Sequence, residues 1–224
     1  MISLGNNIST SSTPESKYSL DLDGTGDYFT IGSSVTDFTI SFWAKPDDGH
    51  DTQSFFGAND GDADIIRGEI ESSGDFKLTF EGDGDPGAYQ TDSVVFSDGA
   101  ATSWTHILVT VTKSTSTTVV VYVNGSAVAT TAATDVTEAK HAAFSSAQNL
   151  VIGANNAKGT VGANFSGNID EFALWNVAVD GPAAAAIYNN GSPTNLTFDS
   201  GNYDNSAALQ GYWRMGNGLF DDKA

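Results

Sequence analysis

The sequence predicts an all-β protein: a sandwich or jelly roll of antiparallel sheets, with one short helix late in the chain. Three observations carry this. Short runs rich in β-branched and aromatic residues recur from Lys17 onward, separated by Gly, Asp, Asn and Ser. Several runs alternate in polarity with period two, and helical periodicity is almost missing. The 224 residues are 39% hydrophobic and 11% aromatic, enough to fill a sizeable core within one β-sandwich domain.

The elements follow in order. Residues 1–16, rich in Ser, Thr and Asn, read as an N-terminal arm, and residues 17–224 as a single domain. YSLDL (18–22) and DYFTI (27–31) are strands on either side of a DGTG turn. In DFTISFWAK (37–45), Phe38, Ile40 and Phe42 share one face, and Thr39, Ser41 and Trp43 the other. DFKLTFE (75–81) is the next clear strand. In SWTHILVTVT (103–112), Ile107, Val109 and Val111 form an apolar face, while Trp104, His106, Leu108 and Thr110 form a mixed one. TTVVVYVN (117–124) runs into Asn124-Gly125, the strongest short hairpin signal. NLVIG (149–153) and SGNIDEFALW (166–175) are further strands. A helix near 181–190 has Asp180 to cap it, Pro182 in its first turn, four alanines, and Gly191 to close it. Near the C-terminus, Tyr212, Trp213 and Met215 are costly to expose, so 208–216 is expected to be a strand completing a sheet.

Charge and composition narrow the function. Nine Lys and Arg stand against 28 Asp and Glu, for a net charge of −19. Such a surface repels phosphate backbones and anionic membranes, so no nucleic-acid partner and no membrane insertion are expected. No apolar run reaches the ~20 residues of a membrane span. Cysteine is absent, which removes disulfides, thiolate metal sites and cysteine nucleophiles. The first residues lack the basic and apolar regions of a signal peptide.

The ordered series YSLDLDGTGDYFTIG, FTISFWAKP, SWTHILVTVT, VVVYVNGSAVA, NLVIGA, FSGNIDEFALWNVAV and a short helix ending IYNNG resembles the laminin-G-like branch of the concanavalin A-like lectin/glucanase superfamily. The resemblance spans roughly Lys17 to Gly191. It implies a jelly-roll sandwich of two antiparallel sheets, one concave and one convex. LQGYWRMGNG (209–218) is similar to what family members carry before their first strand, which implies a circular permutation or the opening of a second repeat. The same junction resembles repeats of structural and adhesion proteins of marine bacteriophages.

Calcium is the expected cofactor, in a structural role. DLDGTGD presents carboxylates and turn carbonyls, and calcium takes six to eight oxygen ligands. The resemblance implies an ion joining this turn to the late strand, held by Asp23 or Asp27, the Gly24 carbonyl and Asp170. The competing reading of Asp23 is an Asx-turn. Strand parity places Asp170 with Phe172 and Leu174, facing a core, and makes Glu171 a surface acid on the opposite face. Asp170 is then paired with a cation or sits at a strand end open to water.

Catalytic motifs are tested and rejected. Residues 60–71 carry Asp60, Asp62, Asp64 and Glu71, but the sixth place of an EF-hand loop needs Gly and here is Ile65. Glycoside hydrolases that resemble laminarinases carry three acids as Glu-x-Asp-x-x-Glu. EIESSG (69–74) has Glu in the middle place and Gly74 in the third. His106 reads as structural, as does packing for Trp43 and Trp104. The reading is therefore not an enzyme but a binding and adhesion module for carbohydrate. His50, Asn59, Asp62, Asp85 and Tyr89 are expected in ligand-binding loops. The alternative is a virion structural or decoration protein on a phage capsid or tail, in a symmetric assembly. It would engage protein neighbours through its arm or a sheet edge. Both readings put the protein outside a cell or on a virion surface.

Overall fold

A computed structural model describes residues 19–32, 37–59, 65–82, 85–113, 117–134, 149–157, 160–215 and 222–223. The expected N-terminal arm and Asp62 lie outside them. In chain order the strands are β1 (Leu20–Asp23), β2 (Phe29–Gly32), β3 (Phe38–Pro46), β4 (Gln53–Asn59), β5 (Ile65–Ile70), β6 (Phe76–Gly82), β7 (Asp85–Thr91) and β8 (Thr105–Lys113). They continue with β9 (Thr117–Val123), β10 (Ser126–Val128), β11 (Thr130–Thr134), β12 (Asn149–Ile152), β13 (Asn155–Ala157), β14 (Thr160–Gly162) and β15 (Ser166–Trp175). Helix α1 (Gly181–Tyr188) follows, then β16 (Leu209–Trp213) and β17 (Asp222–Lys223).

Two antiparallel sheets form the expected sandwich. The first has the order β10-β9-β8-β3-β15-β16-β17, with β1 also on β15. The second has the order β11-β7-β6-β5-β4-β12-β2, and β13 with β14 makes a separate hairpin. β1 and β16 lie on β15 as two halves of one split strand: Leu20 opposes Ile169, and Trp213 opposes Phe172.

The inner faces interdigitate as period-two strands require. Phe42 from the first sheet meets Phe55 from the second at 4.9 Å between ring centroids, and Phe172 on β15 at 5.9 Å. Ile40, Val109, Leu78, Phe80 and Leu150 belong to the same fully buried core.

A second apolar layer explains why β3 is buried on both faces. Leu108, Tyr122, Ala173, Trp175 and Tyr212 point outward from the first sheet and are covered by Ala183, Ala184 and Ile187 of α1 together with Leu196 and Tyr203. Two hydrogen bonds tie the segment after the helix down. Trp175 Nε1 donates to the Tyr203 hydroxyl at 3.0 Å, which donates to the Leu196 carbonyl at 2.7 Å. Asp180 caps α1 through Ala183 N–H at 2.8 Å. The helix stops earlier than expected, because Asn189 takes the left-handed conformation at φ 45°. The Asn124-Gly125 hairpin forms as expected between β9 and β10, with φ of 49° and 74°. There is no room for a Cβ at Gly125, which would lie 2.8 Å from the Tyr188 ring.

Candidate functional site

The two adjacent acids of β15 correct the parity expectation. Trp43 opposes Asp170 and Ser41 opposes Ala173, so Glu171 and Phe172 together face the single residue Phe42. This is a β-bulge, and Glu171 occupies it at φ +50°. One extra residue reverses the parity of everything after it. Ile169 therefore faces the inter-sheet core, and so do Phe172 and Leu174. Asp170, opposite Trp43, lies on the outer face instead.

Glu171 is not a surface acid; it is 3% exposed. Its carboxylate accepts from the Tyr212 hydroxyl and, at 3.3 Å, from Arg214 Nε. Arg214 is itself 5% exposed. Both partners come from β16 or its end, so the pair fastens the C-terminal strand to β15. Asp170 Oδ1 accepts the Glu171 backbone N–H at 2.8 Å. A bulge takes an N–H out of the ladder, and a buried N–H needs an acceptor. Asp170 supplies one.

The turn at 23–27 does not meet Asp170. Asp23 opposes Ser166 and Leu20 opposes Ile169. Asp170 is thus four residues beyond Ser166 along β15, roughly 13 Å at strand rise. Ligands on one calcium lie about 2.3–2.6 Å from it. Asp23 makes the Asx-turn: its Oδ1 accepts Thr25 N–H at 2.7 Å and Thr25 Oγ1–H at 2.8 Å. The bonds from Thr25 hold its carboxyl below the ordinary value, and the Asp27 side chain adds to this by a hydrogen bond. Among the described residues, no three His, Cys, Asp or Glu side chains gather around one point.

The outer face of the second sheet carries a continuous polar row. Thr131 opposes Gln90, Gln90 opposes Lys77, Lys77 opposes Glu69, and Glu69 opposes Ser54. Arg67 and Thr79 form the adjacent rung. Glu69 is 5% exposed although it faces outward. Arg67 Nε reaches it at 3.2 Å and Lys77 Nζ at 3.5 Å, and Lys77 also holds Glu71 at 2.6 Å. Gln90 Nε2 donates to Asp75 at 2.9 Å. The β13–β14 hairpin packs beside β4 and reaches β5. There the buried oxygens Ser54 Oγ, Asn155 Oδ1 and Asn164 Oδ1 have no hydrogen-bond partner. Glu69 and Glu71, two residues apart, share a face, and the Lys77 ammonium lies within ion-pair distance of both.

The expected loop residues scatter. Tyr89 lies in β7, packs on the inter-sheet core and donates to the Thr117 carbonyl at 2.8 Å. Asn59 ends β4 and Asp85 begins β7, so both are strand positions rather than loop positions. Only His50 is in a described loop, with Nδ1 4.0 Å from Asp98. Register puts Asn59 and Asp85 at one end of the second sheet, since Asn59 opposes Ile65, Ile65 opposes Glu81 and Gly82 opposes Asp85, whereas His50 lies beside Gly74 and Tyr89 packs on the core.

Trp43 and His106 are buried as expected, with rings 5.0 Å apart under Tyr188. His106 Nε2 lies 2.8 Å from Ser41 Oγ, and Nδ1 has no partner. Burial lowers its pKa to about 3, so the ring is neutral. Among the described residues no carboxylate bonds to its Nδ1, the place of the third member in a nucleophilic triad. Trp104, expected to be a packing residue, is 37% exposed.

The family model described as concanavalin A-like lectin/glucanases superfamily (Laminin_G_3) matches residues 23–185. Among solved structures, the heptameric SAP-like pentraxin from Limulus polyphemus matches with a TM-score of 0.57 and 17% identity, over 82% of this chain and 87% of that one. The CBM40 of Ruminococcus gnavus IT-sialidase, bound to α2,3-sialyllactose, matches at TM-score 0.57 and 13% identity, over 77% and 96%. The receptor binding domain of botulinum neurotoxin D matches at 0.53 and 14%, over 77% and 43%. A search of curated protein sequences found no match.

Proposed function

Because the chain belongs to the concanavalin A-like lectin/glucanases superfamily, we propose that it is a non-catalytic module that binds carbohydrate on the outer face of its second sheet. The polar row from Thr131 through Gln90 and Lys77 to Glu69, flanked by Arg67, carries the reading. Sugars are held by planar arrays of donors and acceptors fixed in advance, because each side chain ordered on binding costs free energy. Glu69 is buried and holds both cations in place, so Arg67 and Lys77 are ordered before a ligand arrives. Each keeps a side-chain exposure of 23%. Rigid strands position such groups better than loops do. A glycan bound to the similarly folded CBM40 supports the class of ligand.

Calcium belongs to this proposal as a structural ion at the 23–27 turn. Asp23, Asp27 and the Gly24 carbonyl are hard oxygen donors, and Asp170 is outside the set. Asp23 and Asp27 interact on one exposed turn, and a divalent cation there would offset the repulsion between two carboxylates. An ion there would fix the turn and the β1 end of the split strand.

Glycan-array binding with Arg67→Ala beside the wild type tests the site. Dose-dependent hits that the variant loses, with its melting temperature within a few degrees of wild type, fit the proposal. Hits that survive Arg67→Ala unchanged place the binding face elsewhere, and a blank wild-type array removes the carbohydrate reading.

A further inference from the structure

We infer that the ligand of this face is a neutral, hydroxyl-rich glycan and that acidic sugars are rejected, an inference that rests on the carbohydrate-binding reading above. The charges of the site set the preference. Its two cations, Arg67 and Lys77, are already paired with Glu69 and Glu71 at 3.2, 3.5 and 2.6 Å. Asp75 adds a third carboxylate, held by Gln90 Nε2. Among the described residues, carboxylates therefore outnumber the two cations on the face, within a chain of net charge −19. A ligand carboxylate would have to share a cation already paired with Glu69 or Glu71, and would lie beside the like charges of Glu71 and Asp75. Removing a cation from Glu69, buried at 5% exposure, leaves an uncompensated interior charge.

Hydrogen-bonding capacity points the same way. The partly exposed acids of the face, Glu71 and Asp75, present carboxylate oxygens, which accept hydrogen bonds and do not donate them. Sugar hydroxyls donate as well as accept; a carboxylate only accepts. The ligand that complements such a face brings donors and no negative charge.

The test is an array of matched pairs at physiological salt: lactose and N-acetyllactosamine chains, each beside its sialylated counterpart, read with wild type and with Glu71→Gln/Asp75→Asn. Neutral members are expected to bind at least about tenfold more tightly than their sialylated partners, the size of one like-charge contact near a surface. The double variant is expected to narrow that ratio, and so is raised salt, through screening. Equal binding of the pair members, or preference for the sialylated ones, overturns this inference and leaves the binding face intact. A ratio that neither the variant nor salt changes also overturns it, because charge would then not be the cause. A wild-type array blank for every glycan overturns the carbohydrate reading and this inference with it.

Discussion

Arg214→Ala tests the account of the β15 bulge. The substitution leaves Glu171, 3% exposed, without its guanidinium partner. Breaking a buried ion pair from one side costs about 3–5 kcal/mol, since the remaining charge stays desolvated. Arg214 also lies over the Tyr212 ring at 5.9 Å, so its loss removes packing in the same place. In a domain of this length 1 kcal/mol moves the midpoint by about 2–4 °C, so a fall of roughly 6–20 °C is expected. Urea unfolding gives the free energy directly. The double variant Glu171→Gln/Arg214→Met removes both charges and should recover at least half of the loss, because a neutral pair has no stranded ion. Tyr212→Phe, which removes one hydroxyl donor to Glu171, should cost about 1–3 kcal/mol. If Arg214→Ala costs under about 1 kcal/mol, the pair behaves as a surface contact and the latch between β16 and β15 is wrong.

Three further outcomes follow. His106 is neutral when folded, with a pKa near 3 against an ordinary 6.5, so the unfolded chain takes up its proton first. Its contribution is intact above pH 6.5 and is lost as pH falls toward 3, by about 1.4 kcal/mol per unit, hence about 2 kcal/mol at pH 5. Urea midpoints at pH 7 and pH 5 should diverge in wild type and converge in His106→Gln; equal slopes in both proteins would refute this. Gly125→Val puts a Cβ 2.8 Å from the Tyr188 ring at φ +74°, and should lower stability by about 1–3 kcal/mol, whereas a neutral result would mean the turn is not held against α1. EDTA should lower the melting temperature of wild type but not of Asp23→Asn/Asp27→Asn, while Asp170→Asn keeps the response; a melt indifferent to EDTA removes the structural calcium.

The sequence made the sandwich legible because a strand writes its burial into every second residue. Phe38, Ile40 and Phe42 point inward as their alternation required, and Asn124-Gly125 turns the chain as that pair does elsewhere. The same rule failed at Asp170 and Glu171. Parity is a local count, and a bulge breaks the count without any Gly or Pro to mark it. Glu171 takes a left-handed φ that its residue type does not announce. The candidate site was less legible still. Glu69 and Glu71 were visible as acids on one face, but the Lys77 between them comes from the next strand. Of the loop choices, His50 and Tyr89 stand apart from Asn59 and Asp85, since loop position alone says nothing of what stands across from a residue.

The amino-acid sequence by itself determined the all-β class, most strands of the first sheet, the hairpin and the late helix, because each is set by neighbours a few residues apart. Only the tertiary structure decided that Glu171 is buried against Arg214, 43 residues away, and that Gln90, Lys77, Glu69 and Ser54 form one row. Those facts depend on register between strands distant in sequence. Register is fixed by the packing of the whole core, and a single extra residue in one strand is enough to change it.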